Sequence, residues 1–104
     1  MGLLSLLGIN NKVKDALRNG AVIIDVRTAH EFDAGKIKGS INIPVDRIDI
    51  NIERIRSFKK PIVLICASGA RSEKAASILK RNGIKDVYNG GSWTRVLRIL
   101  NSLG

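Results

Sequence analysis

The chain has 104 residues, 44% of them hydrophobic and 26% charged, which suits one compact domain and leaves no room for a second core. Eighteen basic against nine acidic residues give a formal net charge of +9, a field that draws anions. One cysteine, Cys66, and one histidine, His30, exclude an intramolecular disulfide and a four-ligand structural zinc site.

Residues 1–10 read as an apolar N-terminal extension, Met1 to Ile9 being nearly uncharged. It lacks the basic flank of a signal peptide and falls short of the roughly 20 apolar residues a membrane span needs. The expectation is a cytoplasmic protein without a membrane span. The extension is expected to pack on the domain or on a second copy, with monomer and homodimer both open. Residues 11–104 read as one domain. A helix is expected over 11–19, with Val13, Ala16 and Leu17 on one face and Asn19-Gly20 as its stop. Ala21 to Val26 is an apolar run broken only by Asp25, the pattern of a strand buried on both faces. Thr28 can cap a short helix through Phe32, ended by Gly35, and Ser40 to Ile43 reads as a brief strand closed by Pro44.

Residues 46–57 suggest a short helix or irregular turn with Ile48, Ile52 and Ile55 inward. Pro61 to Ile65 is the clearest strand, with Cys66 at its carboxyl end, and Arg71 to Asn82 is a helix stopped by Gly83. Asp86 to Tyr88 makes a last strand, after which Gly90-Gly91 is expected to turn the chain. Ser92 then caps a final helix with Trp93, Val96, Leu97 and Leu100 as its inward stripe. Strands alternating with helices predict an α/β domain with a mainly parallel central sheet of four or five strands, flanked by helices in three layers. Such sheets bind ligands beyond the carboxyl ends of their strands, where Asp25-Val26-Arg27 and Cys66 fall.

Cys66-Ala67-Ser68-Gly69-Ala70-Arg71-Ser72 joins a buried strand to a helix. A loop that ends in a helix N-terminus can turn successive N–H groups toward one point and cradle an anion. Gly69 permits an unusual backbone angle, and the small side chains of Ala67, Ser68 and Ala70 leave such a cradle open. Arg71 adds a permanent charge and a planar fork for an oxyanion. A thiol at the centre of this loop is expected to ionise readily and act as a nucleophile. A phosphatase-type loop also sets a Cys and an Arg around an anion. It holds one residue more than the four between Cys66 and Arg71, so the tighter ring here favours a persulfide or small sulfur anion.

These residues resemble the rhodanese (thiosulfate sulfurtransferase) family over most of the chain. Asp25-Val26-Arg27 with Glu31-Phe32, then Gly35 through Pro44, is similar to the family's N-terminal motif. Cys66 through Ser72 is similar to its active loop, and Asn89-Gly90-Gly91 before Trp93 to its Gly-Gly motif. The resemblance implies that Cys66 accepts sulfur from a small anionic donor such as thiosulfate. The resulting persulfide passes that sulfur to a thiol, cyanide or a protein acceptor, with no cofactor and no metal. It implies that Arg71 orients the donor and that the backbone of Ala67, Ser68, Gly69, Ala70 and Ser72 binds it. It also implies Asp25, Arg27 and Glu31 as structural support, with Arg27 and Glu31 an internal ion pair and Asp25 a hydrogen-bond anchor. Lys36 stands where family members often carry His, and His30 is read as a solvated helix residue. The spread of the basic residues and the scarcity of aromatic ones argue against a nucleic-acid partner. The competing readings are a non-catalytic or redox-sensing binding module, and a Cys-based phosphatase or arsenate reductase.

Overall fold

The computed structural model describes residues 3–104, with side chains from residue 11 onward. Four parallel strands form the sheet: β1 (Val22–Asp25), β2 (Ile41–Asn42), β3 (Ile62–Cys66) and β4 (Val87–Ser92), in the order β2-β1-β3-β4. Five helices connect and flank them: α1 (Leu3–Arg18), α2 (Ala29–Ala34), α3 (Ile52–Ser57), α4 (Ala70–Arg81) and α5 (Trp93–Leu103).

All five residues of β3 are buried, because the sheet is covered on both sides and alternate side chains feed two separate cores. Ile62, Leu64 and Cys66 join Ile24, Val26, Ile48, Ile55, Ala75 and Leu79 on the side covered by α3 and α4. Val63 and Ile65 join Val13, Ala16 and Val96 on the side covered by α1 and α5. The alternation therefore sends the Cys66 side chain toward α4, the helix whose N-terminus follows its loop. Asp25 of β1 lies beside Ile65 of β3, and Val26 N–H donates to Ile65 O at 2.8 Å. The two polar strand ends thus meet at one edge of the sheet.

Several boundaries differ from the sequence reading. The first helix begins at Leu3 rather than at residue 11; Gly8 and the Asn10-Asn11 pair are weak helix formers and obscure the continuity. How residues 1–9 pack falls outside the described side chains. Residues 45–51 form two short 3₁₀ turns, Val45–Arg47 and Asp49–Asn51, that lead into α3. Ile48, Ile52 and Ile55 are buried there as the periodicity predicts.

Gly90-Gly91 does not turn the chain: both lie within β4, where the register slips by one residue between Leu64 and Ile65. Gly90 is needed for closeness. A Cβ there would sit 2.8 Å from Val96 Cγ2, 2.9 Å from Val63 Cγ1 and 3.0 Å from Ile65 Cγ2.

Candidate active site

Cys66 ends β3, and the next three residues swing the chain back so that α4 starts over the sulfur. Gly69 makes this reversal at φ 106°, a left-handed angle that a side chain resists. Its N–H donates to Cys66 Sγ at 2.9 Å, and the Ser72 N–H does so at 3.4 Å. The Ser68 amide also favours the ionised form of the sulfur. Among the described residues the main-chain bonds to the sulfur are these two, from Gly69 and Ser72.

The thiol lies beneath the loop, and the small side chains stand at the surface. Cys66 is fully buried, whereas Ala67, Ser68 and Ala70 are exposed on the rim. Burial pushes the thiol up, but the Ser72 hydroxyl and the amides of Ser72, Gly69 and Ser68 outweigh it. The net effect is an acidity above that of an ordinary cysteine.

Ser72 Oγ lies 3.4 Å from Sγ, 3.0 Å from Gly69 O and 2.6 Å from Asn89 Oδ1. Asn89 Oδ1 also accepts from Gly91 N–H at 3.0 Å, and Asn89 Nδ2 donates to Gly69 O at 3.3 Å. β4 is thereby pinned to the cysteine loop by one side chain. In the sequence Asn89 stands out only as the flank of the Gly-Gly pair. In the sheet it pairs with Leu64, in the middle of the buried strand β3.

The ion pairs depart from expectation. Arg27 does not pair with the Glu31 carboxylate: its Nε and Nη2 donate to Asp25 Oδ1 and Oδ2 at 3.0 and 2.7 Å, a buried two-pronged pair. The same guanidinium donates to Gly35 O at 2.6 Å and to the backbone carbonyl of Glu31 at 3.3 Å. It lies 4.7 Å from the centre of the Trp93 ring. An Asp two residues back on the same strand end is closer than a carboxylate on the next helix, which explains the exchange. Asn42 Nδ2 ties this corner to β2 by donating to the carbonyls of Asp25 and Arg27.

Glu31 instead grips the arginine of the loop. Arg71 Nη1 and Nη2 donate to Glu31 Oε1 and Oε2 at 2.7 and 3.0 Å. Glu31 also completes a capping box with Thr28 at the start of α2. The Arg71 bond foremost, with the Thr28 amide, holds the Glu31 carboxyl at about 2 against an ordinary 4.5. Arg71 is held above its ordinary value, chiefly by Glu31, with the charge on Cys66 contributing. Its guanidinium thus stays a fixed cation beside the loop, partly exposed and already oriented. Lys36 is exposed with its ammonium 5.0 Å from the Phe32 ring, and His30 is exposed on α2. Among the described residues no three His, Cys, Asp or Glu side chains cluster to hold a metal, and no helix is long and apolar enough to cross a membrane.

A buried, acidified thiol under a helix N-terminus, flanked by a fixed cation, is equipped for nucleophilic attack and for holding an anionic sulfur intermediate. Comparison with known proteins bears on what that intermediate is. Residues 10–95 match the family described as "Rhodanese-like domain". An uncharacterized protein of Bacillus subtilis is 41% identical over 69 residues, covering 66% of this chain and 54% of its own length. A "tRNA uridine(34) hydroxylase" of Buchnera aphidicola is 33% identical over 109 residues, covering 96% of this chain and 34% of that protein. A Schizosaccharomyces pombe protein named "Putative thiosulfate sulfurtransferase, mitochondrial" is 39% identical over 85 residues, covering 69% and 60%. The chain therefore spans between a third and three fifths of these relatives. The human single-domain sulfurtransferase superposes with a TM-score of 0.66 at 25% identity, covering 85% of this chain and 91% of that one.

Proposed function

The chain belongs to the rhodanese-like domain family, and from that membership we propose that it is a sulfurtransferase working through a persulfide on Cys66. The observation that carries this reading is the convergence of the Gly69 and Ser72 amides and the Ser72 hydroxyl on a thiol that burial alone would keep neutral.

In the proposed cycle the Cys66 thiolate attacks the outer sulfur of a small anionic donor such as thiosulfate. The new sulfur–sulfur bond forms as the donor's own sulfur–sulfur bond breaks, and sulfite departs with the electron pair. The persulfide anion then sits among the amides of the 67–72 loop, where fixed dipoles stabilise it without reorganisation. An acceptor nucleophile, whether cyanide, a thiol or a protein cysteine, attacks the terminal sulfur and removes it, and the thiolate returns. Arg71 faces the donor's oxyanion with a guanidinium that Glu31 has already oriented. No cofactor enters this cycle.

Relatives named as tRNA hydroxylases are proteins of which this chain spans 34% or less, and the reactive group at the centre of this site is a thiol. Sulfur transfer is the reading that the loop supports. Intact mass after incubation with thiosulfate tests it. The expected result is a gain of one sulfur atom that reductant removes and that Cys66→Ser lacks. Turnover of a phosphate ester without any turnover of thiosulfate overturns it.

A further inference from the structure

β4 is an edge strand: the sheet ends there, and among the described residues no strand pairs with its outer side. Ile62 N–H donates to Asp86 O, which sets the phase of the ladder. The main-chain groups of Tyr88 turn toward β3, and those of Val87 and Asn89 turn outward. An unpaired edge of this kind is a template for another chain.

A groove of about 1170 Å³ runs along this edge between α1 and α4. It starts at Lys80, Arg81 and Lys85, near the beginning of β4, and reaches Ser68 on the rim of the cysteine loop. Lys12 lines it from the α1 side, and among the described residues Glu73 is the one acidic residue in its wall. The far end of β4 is the end that pairs with Cys66, so a segment laid along the groove is led toward the sulfur.

We propose that this groove docks an extended acidic segment of a protein sulfur acceptor, which adds to β4 as a further strand. Main-chain bonds to Val87 and Asn89 fix its register, and the lysines and arginine on both walls select its charge. Residues 1–10 of this chain are a poor occupant, because they carry no acidic side chain. Nucleic acid fits less well: of four aromatic residues only Tyr88 borders the groove, too few for a run of stacked bases. The proposal rests on the sulfur-transfer reading only for what is delivered at the end of the groove.

The test uses the full chain and a fluorescent, capped peptide of alternating glutamate and valine. Expected are binding, slowed hydrogen exchange at the Val87 and Asn89 amides, and about tenfold weaker binding to the double variant Lys80→Glu, Lys85→Glu. Thiosulfate turnover by that variant stays at the wild-type level. N-methylation of alternate peptide bonds is expected to abolish binding. Equal binding of the N-methylated peptide, equal binding of an alternating threonine–valine peptide, or tighter binding of oligouridine each overturns the proposal. Failure of the wild-type chain to bind the unmodified peptide while it still turns over thiosulfate refutes the groove alone. Turnover absent while the peptide still binds refutes the sulfur-transfer reading and leaves the groove standing.

Discussion

Cys66 exchanges water for the Gly69 and Ser72 amides and the Ser72 hydroxyl, and the exchange favours its charged form even though burial opposes it. Alkylation by iodoacetamide is therefore expected to follow a pH midpoint below the ordinary 9.0 of a thiol. Ser72→Ala, which keeps the amide and removes the hydroxyl, is expected to move that midpoint upward. Cys66→Ser is expected to abolish transfer while circular dichroism shows the fold intact. Retained turnover in that variant refutes the nucleophile. Arg71→Ala deletes a charged fork worth about 1.5–3 kcal/mol per bond, so KM for thiosulfate is expected to rise at least about tenfold. A neutral organic trisulfide is expected to be little affected, and an equal effect on both donors removes Arg71 from donor binding. At this scale the sequence exposed the nucleophile and its arginine, because their chemistry depends on neighbours along the chain. It hid the partners that depend on folding: Glu31 for Arg71 across 40 positions, and Asn89 for Ser72 across 17.

Elements were legible where one periodicity dominates. β3 and α4 read directly, the first as an unbroken apolar run and the second as a helical stripe ended by Gly83. β4 is obscured because its glycines suggest a turn, whereas Gly90 is there to let α5 approach the sheet. Gly90→Ala forces a methyl into space held by Val96, Val63 and Ile65. Overpacking of this kind costs about 1–3 kcal/mol, measurable as a lowered Tm. An unchanged Tm would show that α5 can yield. The capping box at α2 has its own test: Thr28→Ala is expected to cost about 1 kcal/mol in urea unfolding.

For the molecule as a whole, the Asp25–Arg27 pair matters beyond its two residues, since it ties β1 to the end of α2 and to Trp93 of α5. Asp25→Ala leaves a buried guanidinium without its anion, a loss of about 3–5 kcal/mol. A domain of this size has about 5–15 kcal/mol in total. Urea unfolding of the variant should show a large fall in midpoint. The Glu31–Arg71 pair responds to acid. Because the folded carboxyl titrates at about 2 rather than 4.5, the support it gives is complete above about 4.5 and fades as pH falls through about 2. In Arg71→Ala the Glu31 carbon resonance is expected to titrate closer to 4.5, and an unmoved midpoint assigns the shift to Thr28 instead.

Ser72 owns one hydroxyl hydrogen and faces three acceptors. With the sulfur neutral, the short contact to Asn89 claims that hydrogen, and the thiol can donate its own to Oγ. Once the sulfur turns negative, a rotation about a single bond redirects the hydroxyl dipole toward it, at the expense of the link to β4. The loop thus carries a rotor placed to answer a change of charge on the sulfur.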